Sequence, residues 1–241
     1  IWAAQSVGFG PDFYNRVCLP FFALFIIGLP FCPWLGWTGW KRFPKVLAGI
    51  LGGALILGAG AWTLGIRDLL PLPTVAFALV AVPSLLGICL YRSAYRRRRS
   101  GWAVMAVHIG LAVVALGIAV SGPYAQEKDA VLSPGQQLRL KEYTFTHLSL
   151  SRERTQRMEA YKATLRVAKN GREIGRLVPE RRMYRSFNQP FAEAAVIPGL
   201  GDEIYATLLG FDQEDRVRVQ VRINPGVNWI WIGGTLMCLA G

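Results

Sequence analysis

The chain has 241 residues, 52% of them hydrophobic, and a formal charge of +12; its mean hydropathy of +0.30 is above that of ordinary soluble domains. The charge is gathered beside apolar runs, which excludes nucleic acid as the reason for it. Four cysteines all lie in or at the ends of those runs, and no CxxC occurs, which excludes a disulfide framework, a thioredoxin-type pair and a CxxCH site for covalent heme.

In chain order, apolar stretches fall at 17–38, 46–66, 69–90, 101–122 and 226–241, each near the ~20 residues that cross a ~30 Å hydrocarbon core. The last is short, so the chain is expected to stop inside a span. The start shows no charged leader with a short apolar core, so the first span is expected to be an anchor, not a signal peptide. Eight of the ten basic residues outside 125–222 occupy the loops 39–45 and 91–100, the latter with RRRR at 96–99. The bias of Lys and Arg toward cytoplasmic loops puts both loops in the cytoplasm. Tryptophans mark membrane interfaces: Trp34, Trp37, Trp40 and Trp102 fall near the cytoplasmic boundary and Trp62, Trp229 and Trp231 near the opposite one. Residues 125–222 are therefore expected outside the cytoplasm.

Within the fourth run, MAVHIGLAVVALGIAVSGPY, stands His108. An ionisable group in a span faces a protein interior, a cavity or a ligand, because facing lipid is costly. At about 100° per residue, Gly101, Val104, Ala112, Ala115, Ala119 and Gly122 share its direction. This lean face fits either close packing of another helix or room for a planar ligand coordinated by the imidazole. A proton relay is a third reading, without an acidic partner in the spans.

Residues 125–222 exchange long apolar runs for short alternating ones, the pattern of strands. Two runs flank Asn170-Gly171 within 160–178, a tight-hairpin signature. Further strands are expected at 137–150, 191–198, 202–211 and 216–223. His147, in TFTHLSL, shares an alternation face with Tyr143, Phe145 and Ser149, opposite Leu148 and Leu150. A lone strand histidine reads first as a half-buried structural residue. The segment RSFNQPF at 185–191 mixes polar and aromatic groups, as partner-binding and solvated loops both do.

Four segments carry a family resemblance: SVGFGPDFYNRVCLP at 6–20, the arginine loop followed by HIGLAVVALGIAVSG at 108–122, PERRMYRSFNQPFAEAAV at 179–196, and NPGVNWIWIGG at 224–234. In this order and spacing the chain resembles the C-terminal part of the CcmF/NrfE-like heme lyases. The resemblance implies that His108 is one axial ligand to the iron of a b-type heme held between transmembrane helices, and that heme is also the transferred substrate. It further implies receipt of heme from a periplasmic heme chaperone, a thiol-handling maturation subunit as partner, and thioether formation with the CxxCH cysteines of an apocytochrome c. The second axial histidine and the family's tryptophan-rich heme-handling segment are not in this sequence, and NWIW at 228–231 reads instead as an interface anchor.

The expectation is thus a polytopic α-helical membrane protein with a small external all-β module inserted before the last span. Residues 1–124 form a four-span region, 125–222 a periplasmic β module and 223–241 the start of a final span, in a bacterial inner membrane. The function expected is cytochrome c biogenesis as a heme lyase component. The rivals are a noncatalytic scaffold or receptor with a structural span histidine, and a transporter, the latter disfavoured by the absence of paired charges in the spans.

Overall fold

The computed structural model describes residues 11–35, 41–91, 97, 99–186 and 189–240. Trp37, Trp40 and most of the arginine loop (92–96 and 98) lie outside them, as do 6–10 of the first family segment and 187–188 of RSFNQPF. The chain forms two compact units: one from residues up to Pro123 together with those from Trp229 onward, the other from Tyr124 to Asn228.

The first unit is helical: α1 (Pro11–Gly28), α2 (Cys32–Leu35), α3 (Phe43–Thr63), α4 (Pro71–Tyr91), α5 (Arg99–Ser121) and α6 (Asn228–Ala240). Among the described residues α3, α4 and α5 are long and apolar enough to cross a membrane; α6 and the apolar part of α1 are shorter. The run expected at 17–38 is not one helix. It stops at Gly28, turns through 29–31 and restarts as α2. Pro30 explains the break, since it lacks an N–H and pushes its predecessor out of the α region.

Small residues set how closely these helices approach. Ala78 and Ala81 of α4 are fully buried in one cluster with Ala112 and Ala115 of α5. A Cβ on Gly110 of α5 would stand 2.7 Å from the carbonyl oxygen of Gly233 in α6, and one on Gly233 would stand 2.5 Å from that of Gly110. Backbone here meets backbone with no room for a side chain, the packing mode that joins helices in apolar surroundings.

The second unit is a β-sandwich. One sheet has the order β1 (Gln126–Leu132), β10 (Val217–Pro225), β9 (Asp202–Phe211), β8 (Ala195–Ile197). The other runs β2 (Gln137–Leu140), β3 (Tyr143–Arg154), β4 (Met158–Lys169), β6 (Glu180–Tyr184), β7 (Pro190–Glu193), with β5 (Arg172–Leu177) also paired to β4. Alternating residues of both sheets, among them Phe145, Leu165, Val167, Leu208, Val219 and Val221, fill one core. Asn170 (φ 50°) and Gly171 (φ 84°) turn the β4–β5 hairpin as their residue types require.

Three details depart from the alternation pattern. The run 137–150 is split into β2 and β3 by a turn at Lys141, whose φ is 51°. Strands β1 and β6 are rich in charge (QEKDAVL, ERRMY) and carry no hydrophobic alternation to read. A bulge between His147 and Ser149 shifts the register against β4, so Leu150 packs on the core although simple alternation puts it opposite Phe145.

Gly110→Leu is expected to destabilise the helical unit by about 2 kcal/mol or more through overpacking at the α5–α6 crossing. The control is Gly60→Leu, whose Cβ meets nothing within 4 Å. Thermal unfolding of the detergent-solubilised full chain checks both; equal midpoints for the two variants would contradict the crossing.

Candidate functional site

His108 sits mid-way along α5, and its Nδ1 lies 2.6 Å from the carbonyl oxygen of Val104, one turn earlier in the same helix. A carbonyl oxygen only accepts, so Nδ1 is the protonated nitrogen and donates. In the neutral ring Nε2 then keeps the lone pair. The half-buried ring lines a pocket of about 200 Å³ together with Cys32, Pro33, Leu85, Ile88, Val104 and Met105. Every neighbour but the imidazole is apolar or a sulfur group.

The position of this pocket follows from the helix packing. Beyond His108 toward the C-terminus, Ala112 and Ala115 are fully buried in the cluster with α4, so that part of the lean face is consumed by a close helix neighbour. At the level of His108 and the turn before it, Val104 and Met105 replace alanine and the opening appears. Close helix packing therefore holds the turns beyond His108, and the opening lies at His108 and the turn before it.

The opposite wall comes from the broken first helix. The Ser84 hydroxyl in α4 donates to the Pro30 carbonyl at 2.8 Å and accepts from Trp34 Nε1 at 2.8 Å. These two bonds hold the 29–35 segment, with Cys32 and Pro33, against α4. Trp34, expected as an interface anchor, is thus a part-buried strut. Sequence reading missed Ser84, Cys32 and Met105, because the only signal available was an apolar run containing prolines.

The donor set could supply one nitrogen ligand to a heme iron. An imidazole whose far nitrogen is pinned to a backbone carbonyl presents the other to a metal in a fixed tautomer and orientation, and aliphatic and thioether groups around it suit the apolar face of a macrocycle. It supplies one ligand only, since the chain holds two histidines and the other is His147. That residue is fully buried in the sandwich, opposite Leu165 of β4, and neither ring nitrogen has a hydrogen-bond partner among the described residues. It is a deeper core residue than the half-buried one expected. The described residues contain no metal-ready group of three or more His, Cys, Asp or Glu.

Comparison with known proteins agrees with this architecture. Residues 123–225 match the family described as the CcmF C-terminal beta-sandwich. Over 99% of its length the chain is 28% identical to the cytochrome c-type biogenesis protein CcmF of Pseudomonas aeruginosa. It is 27% identical to the Escherichia coli CcmF over 98% of its length, and 24% identical over 98% to the cytochrome c-type biogenesis protein NrfE of Haemophilus influenzae. It spans 37–38% of the length of these relatives. A solved structure titled "Cytochrome c Heme Lyase CcmF" superposes on 96% of the chain with a TM-score of 0.73 at 20% identity, using 40% of that structure; this establishes a shared fold. Along nearly its whole length the chain is thus similar to part of CcmF-type proteins, with the matched beta-sandwich being their C-terminal one.

Two substitutions test the local accounts. Ser84→Ala leaves the Trp34 N–H and the Pro30 carbonyl without their partner and is expected to cost about 1–2 kcal/mol. His147→Leu removes two unpaired buried nitrogens, and is expected to leave stability unchanged or raise it by about 1 kcal/mol. Thermal unfolding of the full chain reads both; a marked loss in His147→Leu would mean that the imidazole has a partner.

Proposed function

We propose that this chain is the C-terminal part of a heme lyase of cytochrome c biogenesis, resident in a bacterial inner membrane with its β-sandwich on the periplasmic side. The reaction is addition of the two CxxCH thiols of an apocytochrome across the vinyl groups of heme, one S–H per vinyl, with heme delivered by a periplasmic heme chaperone and the apocytochrome by a thiol-handling subunit. His108 would hold the iron of a second, resident b-type heme.

The observation that carries the site assignment is the Nδ1–Val104 hydrogen bond, which leaves Nε2 as the one lone-pair nitrogen in an apolar pocket. It also weighs against a merely structural histidine. A scaffold reading needs His108 to bond a neighbouring helix, yet its one hydrogen bond among the described residues runs to its own helix. Three helices of crossing length, the basic loops and the family likeness support the membrane assignment.

When bound, a b-type heme supplies a one-electron couple able to keep the substrate heme reduced. The chain's own contribution is positional. Val104 fixes the imidazole tautomer and ring orientation. Leu85, Ile88 and Met105 keep water from the coordinating nitrogen, and Ser84 holds the Cys32–Pro33 wall in place.

The test uses the complete protein purified from membranes. His108→Gly is expected to abolish the b-heme absorption bands, and added imidazole to restore them by refilling the vacated ligand position. Undiminished bands in the variant would overturn the ligand assignment. The lyase assignment stands or falls separately: a strain lacking the full-length gene is expected to make no holocytochrome c, and normal covalent attachment there would sink it.

A further inference from the structure

The two faces of the second sheet treat charge differently beyond the point where the first sheet covers it. The ring stack of Tyr161 on Phe211, 4.0 Å between centroids, is contributed by β4 and the last residue of β9. Past it, Arg152 and Arg154 of β3 and Met183 of β6 are exposed. Their register puts Arg152 opposite Tyr161, Arg154 opposite Glu159, and Glu159 opposite Met183. The Arg185 N–H donates to the Arg157 carbonyl at 3.1 Å, extending the same pairing into the β3–β4 turn.

Alternation therefore gathers Arg152, Arg154, Arg157 and Arg185 around Met183, which is 50% exposed. The one acid among them, Glu159, is already occupied by an ion pair with Arg152, whose hydrogen bond holds the Glu159 carboxyl below the ordinary carboxylate range. Arg154, Arg157 and Arg185 are exposed and form no ion pair among the described residues. At the neighbouring β9–β10 turn, Asp212 and Glu214 are both engaged by Arg216.

We propose that this overhanging face is a docking site for an acidic segment of a protein partner, with carboxylates meeting Arg154, Arg157 and Arg185 and an apolar side chain seated on Met183. Charge complementarity selects the sign of the occupant, and an exposed apolar side chain set among the arginines suits a peptide segment, which offers carboxylates and an apolar side chain together. The chain enters the sandwich at Gln126, opposite Ile223, and leaves at Pro225, opposite Asp202. The Asp202 carboxylate accepts from the Tyr143 hydroxyl at 2.9 Å, so entry and exit share the Tyr143 end of β3. The arginines stand at its other end, and β3 is 12 residues long, or about 35 Å at ~3.3 Å per residue. Arginine also suits the task chemically, because its planar fork meets carboxylates in bidentate fashion. This inference is independent of the heme assignment.

The test is binding of a labelled oligoglutamate peptide with one central leucine to the full-length protein in neutral-lipid nanodiscs, followed by fluorescence anisotropy at two salt concentrations. The triple variant Arg154→Ala/Arg157→Ala/Arg185→Ala is expected to weaken binding about tenfold and to flatten its salt dependence. The triple-lysine variant is expected to retain most of the affinity. A matched removal of three exposed arginines elsewhere on the sandwich, Arg139→Ala/Arg166→Ala/Arg172→Ala, is expected to change little. Equal losses in the two alanine triples would overturn the proposal, because net charge alone would then explain them. So would unchanged binding in the first triple, or arginine-dependent binding of phosphatidylglycerol vesicles without binding of the peptide.

Discussion

The alanine seam between α4 and α5 decides where the helical unit is closed and where it is open. Ala78, Ala81, Ala112 and Ala115 are all fully buried, and with one methyl each they let two helices approach so closely that nothing else fits. In apolar surroundings such contact supplies the attraction, since burying a methyl away from lipid gains nothing that lipid did not already give. The seam cannot extend past His108, because Val104 and Met105 on α5 and Leu85 and Ile88 on α4 are too large to continue it. The pocket is the place where an alanine register runs out.

That origin explains why the pocket is bounded by a short, broken element. Two long helices that separate leave a cleft on one side, and a regular third helix would pack along it and fill it. Pro30 prevents that by ending α1 and turning the chain, and Ser84 then fixes the turn with one donated and one accepted bond. Both partners are groups a helix break leaves bare: a carbonyl with no helical N–H below it and an indole N–H with no water. The cost of interrupting α1 is offset by the same hydroxyl that shapes the site.

The long elements were legible in the sequence because their signals are long. Twenty-residue apolar runs announce α3, α4 and α5, and Asn170-Gly171 announces its hairpin because few residue pairs tolerate two positive φ angles. His108 stood out because an imidazole in such a run has few permissible neighbours. What stayed hidden was whatever depends on a single-residue offset or on residues distant in sequence. The bulge after His147 reverses the inside–outside sense of Leu150, and no composition signals a one-residue insertion. β1 and β6 earn their places through register with β10 and β4, not through their own patterns. The Ser84 bridge joins residues fifty or more positions away, and a serine inside an apolar helix carries no sequence mark of its partner.

The charge-rich strands acquire a meaning only in three dimensions. On one face of the second sheet Glu153, Lys162, Glu180, Arg182 and Glu193 form an alternating row across β3, β4, β6 and β7, with ion pairs at 2.7, 3.4, 2.9 and 3.4 Å. Each such solvent-facing pair adds little stability, but the row leaves that face close to neutral, with three carboxylates against two cations. Shift one residue along the same strands and the opposite face carries arginines with a single acid among them. If solubility alone governed these residues, nothing would segregate matched charge to one face and unmatched charge to the other, because both are wet at this end of the sheet. The asymmetry costs mutual repulsion among arginines in the unbound protein. That repulsion is relieved when carboxylates arrive from outside, and the part of the sheet that carries it is the part the first sheet leaves uncovered.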